Sequence, residues 1–142
     1  MFSRDDLLQF LRSQRLAVEA SVSAALGAQA AVVAVVVTDQ FEVIFDTLST
    51  TRKSQNLRQN PKIAFVLGGL VRGDERTAQY EGVADEPTGE ELTRVKDIYL
   101  QAHPRGIERL AWPNLTYIRA RPTWVRYSDY NQNPPEIVEF TF

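Results

Sequence analysis

The chain has no cysteine among its 142 residues. That excludes disulfides, thiolate nucleophiles and cysteine-held metals together. It has one histidine, His103, too few for a histidine-built metal site. Long apolar runs are missing as well. The longest, Ala30 to Val37, falls far short of the roughly 20 residues a membrane-crossing helix needs. Nor is there an excess of cations: 16 Lys and Arg stand against 18 Asp and Glu, a net charge of −2. General nucleic-acid binders carry a strongly basic face, so that class is disfavoured. The opening residues, MFSRDDLLQF, place acids where a secretion signal carries positive charge. The expectation is a cytoplasmic protein with neither nucleic acid nor membrane among its partners.

What is present reads as one ordinary globular domain, residues 1–142, with 44% hydrophobic and 24% charged residues. SRDDLLQFLRSQ is a helix, with Ser3 as N-cap, Asp5 and Asp6 in the first turn, and an apolar face of Leu7, Leu8, Phe10 and Leu11. RLAVEASVS alternates through Leu16, Val18, Ala20 and Val22, the period of a half-buried strand. AAVVAVVV is apolar throughout and predicts a strand buried on both faces. FEVIFD predicts a strand with Phe41, Val43 and Phe45 on one face, and KIAFVLGG a further strand. RTAQYEGVAD is a longer one with a bulge at Gly82. Thr88 and Glu91 have capping-box spacing ahead of a helix striped by Leu92, Val95, Ile98 or Tyr99, and Ala102. LTYIRAR, TWVRYS and EIVEFTF predict three closing strands. The sum is about seven strands and three helices, joined mostly by short turns. That favours a β-rich α+β fold of antiparallel strands closing toward a barrel, with helices outside it.

One stretch stands apart. TTRKSQNLRQNP, residues 50–61, predicts a short helix capped at Thr50 or Thr51 and ended by Pro61. Between Asp46 and Asp74 there is no acid, yet Arg52, Lys53, Arg58, Lys62 and Arg72 all fall there. A solvated helix face would explain this. So would an anion site, because a helix start offers unpaired N–H groups and a positive dipole end. Hydroxyls at Thr47, Ser49, Thr50 and Thr51, with the planar fork of Arg52 and the point charge of Lys53, would suit a phosphate monoester.

FDTLSTTRKSQNLRQNPKIAFVLGG, then ERTAQYEGVADEP, then AWPNLTYIRARPTWVRYSDY resemble the pyridoxamine 5'-phosphate oxidase-related family of FMN-binding split barrels. The likeness runs over residues 15 to 140. It implies a split β-barrel that dimerises, with FMN in two grooves at the interface, and oxidoreductase activity on a small substrate. By matching positions, Arg52 and Lys53 would grip the FMN phosphate, with Thr51 at the helix start. Asp46 and Thr47 would touch ribityl or phosphate. The backbone of Val33, Ala34, Val35 and Val36 would run along the isoalloxazine ring, and Thr77 would occupy a flavin-contacting position. Trp112 is a candidate aromatic from the partner chain. The resemblance leaves alternatives: a relative using the deazaflavin F420, or a non-catalytic module that stores FMN or binds haem. Two departures stand out. Val36 replaces the oxidase's strand-end lysine, and SDYNQNPPEIVEF lacks the arginine and histidine that hold its substrate.

The remaining polar residues have structural readings. His103 follows the long helix and reads as a loop or helix-end residue. Trp112 and Trp124 suit a core or an interface. Glu86, Glu90 and Glu91 precede or open a helix, and Arg119, Arg121 and Arg126 alternate on late strands as a solvated barrel face.

Overall fold

The computed structural model describes residues 1–142. Helix α1 (Arg4–Ser13) begins where Ser3 and Asp6 cap each other, the Ser3 N–H donating to the Asp6 carboxylate at 2.7 Å, and it buries Leu7, Phe10 and Leu11. Strands β1 (Leu16–Val22), β2 (Ala28–Ala34), β3 (Val36–Val37) and β4 (Val43–Leu48) precede helix α2 (Arg52–Gln59). Strands β5 (Lys62–Gly68) and β6 (Arg76–Asp85) lead into helix α3 (Gly89–Ala102) and a 3-10 segment (Pro104–Arg109). Strands β7 (Leu115–Asp129) and β8 (Glu136–Thr141) close the chain.

All pairings are antiparallel, in the order β2-β1-β5-β6-β7-β4-β3, with β8 added to β7. The sheet curls until β2 meets β4, so its concave face becomes an interior. There Val33, Phe45, Phe65, Tyr80 and Ile118 meet Leu7, Phe10 and Leu11 of α1. A second, smaller core lies on the convex side, where α3 lays Val95 and Tyr99 against Ile44 and Tyr117.

The split-barrel expectation and its helices hold; several local expectations do not. In β1 the inward residues are Ala17, Glu19 and Ser21, and the apolar set Leu16, Val18, Ala20 and Val22 faces outward. The AAVVAVVV run is not buried on both faces. It is an edge strand that leaves Val32 63% exposed, and it breaks at Val35 before β3. Val43, Ile44 and Phe45 are all fully buried, because β4 is covered by the core on one side and α3 on the other. Thr88 caps α3 without using its side chain. Glu91 pairs instead with Arg94 and Arg119. LTYIRAR and TWVRYS form one strand, bent where β6 bulges between Glu81 and Gly82. A Cβ at Gly82 would lie 2.3 Å from the Arg121 carbonyl oxygen, so only glycine fits there.

Arg119 is also not on a solvated face. Its guanidinium is buried, donates to both Asp85 oxygens at 2.6 and 3.0 Å, and lies beside Glu42 and Glu91. Arg94 donates to buried Glu42 at 3.0 Å from the same side. This network fastens α3 to β4, β6 and β7.

Candidate functional site

The connection between β4 and α2 gathers five of the expected residues: Asp46 and Thr47 at the strand end, then Thr51, Arg52 and Lys53 at the helix start. Thr51 is the N-cap. Its hydroxyl accepts from the Ser54 N–H at 3.3 Å and donates to the Leu48 carbonyl at 2.9 Å. This hydroxyl therefore shapes the helix start and is already engaged there. Thr47 points inward, 3.4 Å from the same oxygen. Asp46 points to the other face of β4. There Arg109 Nε donates to it at 2.8 Å and the Tyr99 hydroxyl at 3.0 Å. Its carboxylate thus braces α3 and the 3-10 segment, turned away from the helix start.

The cations divide. Arg58 is tied to Glu86 at 2.9 Å and to the Ser49 carbonyl. Arg76, beyond the block, is tied to Asp74 at 2.7 Å. Arg52, exposed, and Lys53, half-exposed, form no ion pair within the chain. They sit on the first turn of α2, whose leading N–H groups have no intrahelical acceptor. Two free cations at a capped helix start form a positive end suited to a phosphate ester.

Beneath this turn lies a polar patch in the barrel interior. Asn56 Nδ2 donates to Ser21 Oγ at 3.2 Å, and Ser21 Oγ donates to Gln29 Oε1 at 3.2 Å. Next to Ser21 on the same face stands Glu19, 0% exposed, with neither carboxylate oxygen hydrogen-bonded. Burial pushes its carboxyl up to about 7, and the nearby Lys53 charge pulls in the opposite direction.

The other expected contacts are spread out. Val33 is buried in the core and Ala34 ends β2. The backbone of Val35 is occupied on both sides: its N–H donates to the Arg15 carbonyl at 2.9 Å, and its carbonyl lies 2.7 Å from His103 Nε2. His103 Nδ1 lies 3.3 Å from Arg15 Nη2. Both contacts are satisfied by a neutral imidazole that donates from Nε2 and accepts at Nδ1. Val36 pairs with Ile44. Trp112, 53% exposed, rims a cavity of about 370 Å³ with Lys96 and Tyr117. Its loop is fastened to the helix start, because the Ser49 N–H donates to the Asn114 carbonyl at 2.8 Å.

Thr77 is not brought to this cluster. It pairs with Gly68 and Ser128, whereas Asp85, eight residues further along β6, pairs with Arg119 opposite Ile44 of β4. At about 3.3 Å per residue the two levels are roughly 26 Å apart.

A model described as pyridoxamine 5'-phosphate oxidase matches residues 3–129. The chain belongs to that family. No curated protein matches it in sequence. Among solved structures it is similar to a haem-binding protein from Mycobacterium smegmatis (TM-score 0.80, 14% identity), covering 94% of this chain and 56% of that one. The chain thus spans little more than half of that relative. It is also similar to the Vibrio cholerae haem storage protein HutZ (TM-score 0.73, 14% identity; 99% and 95% covered). A pyridoxamine 5'-phosphate oxidase-related, FMN-binding protein from Nostoc punctiforme aligns as well (TM-score 0.70, 14% identity; 98% and 95% covered). At such identities these likenesses establish the split-barrel fold that the family shares.

Four features of the site lie outside what sequence reasoning found: Glu19, the Arg109–Asp46–Tyr99 brace, the His103–Val35 tether and the buried Arg119 network. Glu19 alone left a signal, as the one charge inside an otherwise apolar strand pattern. The others join residues too distant in sequence for any spacing to reveal.

Proposed function

We infer that the protein is a homodimeric FMN-binding flavoprotein of the pyridoxamine 5'-phosphate oxidase class, an oxidoreductase acting on a small substrate. The observation that carries this reading is the pair Arg52 and Lys53, free of internal partners on the first turn of α2, in a chain of this family. In this assignment Arg52 and Lys53 hold the cofactor phosphate and the α2 N–H groups complete the cradle. When bound, FMN supplies the hydride chemistry. The chain's contribution is then to bind and orient it. Thr51 fixes the helix start, and the Asn114–Ser49 bond fixes the approach of the Trp112 loop.

Where the candidates lie supports a shared site. Thr77 and the helix start sit at opposite ends of the sheet, so if both touch the cofactor, a second copy supplies one of them. The outward face offers a surface for a second copy. Val32, Val18 and Val66 lie in register across β2, β1 and β5, with Ala30, Ala20 and Ala64 in the next row. Val32 is 63% and Val66 43% exposed. Gln79 and Glu81 of β6 border this apolar patch, giving it the polar rim typical of an interface.

Two similar structures are described as haem-binding or haem storage proteins. Here the one histidine is committed to Val35 and Arg15, which favours the flavin.

The test is titration of FMN against wild type and Arg52→Ala/Lys53→Ala, read by flavin fluorescence. Loss of two charge-assisted contacts costs about 3 kcal/mol, about a hundredfold in affinity. Binding indifferent to both cations would refute the assignment. Tighter binding of F420 than of FMN would keep the anion site and replace the cofactor.

A further inference from the structure

Glu19 is unexplained by the binding role just assigned. It sits on the inward face of a central strand, flanked across the ladder by Ala31 of β2 and Phe65 of β5. It is 0% exposed and neither oxygen has a hydrogen-bond partner. A leucine would fill the position at no electrostatic cost. Buried carboxyls without partners are rare, and each calls for a specific account. Of the elements packed against it, β2 carries no charge and β5 only Lys62, exposed on the outward face. Helix α2 presents Lys53, the one charged group whose field reaches the carboxyl, and the neutral Asn56 and Ser54. Asn56 donates to Ser21 and Ser21 to Gln29, and neither donates to it.

We propose that Glu19 couples the anion site to the proton: a phosphate ester bound over Arg52 and Lys53 is accompanied by protonation of Glu19. The inference rests on the reading of those two cations as the phosphate grip. The logic is electrostatic. With the site free, Lys53 is the only charge opposing the cost of a buried carboxylate. A bound phosphate draws on that same ammonium and adds its own negative charge on the same side. Both effects disfavour the ionised carboxyl. The neutral acid is the form that coexists with the ligand, and by linkage the ligand binds more weakly where Glu19 must first regain a proton. Burial has already brought the carboxyl to about 7, so this exchange falls in the range where cells work.

The experiment is calorimetric titration of FMN into the intact protein from pH 6.5 to 8.5, in two non-phosphate buffers of different ionisation enthalpy. Wild type and Glu19→Gln are compared. The wild type is expected to take up a large fraction of one proton per FMN near pH 7.5 and to lose about five- to tenfold in affinity across the range, within the usual span of coupling energies. Glu19→Gln is expected to take up none and to hold its affinity level there. The phosphate's own ionisation, near pH 6, is common to both proteins and cancels in the comparison. Carbon-13 NMR of the Glu19 carboxyl, without and with FMN, reads the same coupling in unmutated protein, as an upward move of its titration midpoint. FMN binding with equal proton uptake in both proteins, or a Glu19 midpoint that FMN does not move, would overturn the coupling alone. Failure of the wild type to bind FMN at any pH would overturn the phosphate grip and the coupling with it.

Discussion

The buried carboxyl of Glu19 makes a prediction that needs no ligand. In the folded chain it is raised from its ordinary 4.5 to about 7, because burial outweighs the attraction of Lys53. The folded state therefore holds the proton more tightly than the unfolded state does. Below 4.5 both states are protonated and Glu19 makes no pH-dependent contribution. Between 4.5 and 7 the unfolded chain ionises first, so stability falls as pH rises; above 7 the loss is complete. Each decade of proton affinity is worth about 1.4 kcal/mol, so the full loss is about 3 kcal/mol. The groups shifted the other way, Asp6, Asp74, Asp129 and Glu91, gain their stabilisation at and below the ordinary carboxylate range. Their windows lie below that of Glu19, and every other group is common to wild type and Glu19→Gln, so the difference between the two proteins reads Glu19 alone. The assay is urea denaturation of cofactor-free protein at fixed concentration. With a denaturant slope of about 1–3 kcal/mol per molar, the wild-type midpoint should fall relative to that of Glu19→Gln by roughly 1–3 M between pH 5 and 8. The variant lacks that fall and overtakes the wild type at the alkaline end. Parallel curves for the two proteins would refute the reasoning, since the pH dependence would then belong to another group.

Two other perturbations probe the frame and the assembly. Arg119→Met removes the cation at the centre of Glu42, Asp85 and Glu91. Its cost should be about 3 kcal/mol, the lower end for breaking a buried pair because Arg94 still holds Glu42, and urea denaturation at pH 7 measures it. Val32→Asp with Val66→Asp places two carboxylates on the outward apolar rows. Light scattering should show the mass of one chain where the wild type shows two, and FMN affinity should fall with it; a monomer that retains full affinity would contradict a shared site.

The fold was legible wherever a local rule decided the outcome. Ser3 and Asp6 announced α1, Pro61 ended α2, and Gly82 marked the bulge. Strand orientation was the hard part. An alternating strand reports two faces but not which is inward, and in β1 the apolar face turned out to be the outward one. The proposed dimer would account for that inversion: a strand whose outer surface meets a second copy can carry its apolar residues there, and its inner face can then hold Ser21 and even Glu19. The same reasoning explains the edge strand β2. Its continuous apolar run predicts burial on both sides, and in one chain only the inward side is covered. The misjudged capping box has a different origin. Glu91 has the right spacing to reach back to the Thr88 N–H, but Arg119, 28 residues later, offers a charged partner, and an ion pair in a half-buried site outweighs a local amide contact.

For the site, charge distribution carried further than residue spacing. A block of cations without an intervening acid can be read directly, but the sequence does not show which of them are spent. Only the fold pairs Arg58 with Glu86, leaves Arg52, Lys53, Lys62 and Arg72 without an ion pair, and sets Arg52 and Lys53 on the first turn of α2. It likewise turns Asp46 away, because neighbours along β4 point to opposite faces and Arg109 waits on one of them. What remains at the helix start is a positive end with its hydroxyl cap already engaged and a buried acid underneath. On the proposed function, such an arrangement would bind an anion through cations and backbone N–H groups. Its strength depends on whether the acid below is charged. A leucine in place of Glu19 would give a simpler, pH-indifferent grip, and the proposed coupling gives the buried carboxyl a role in how the site responds to its surroundings.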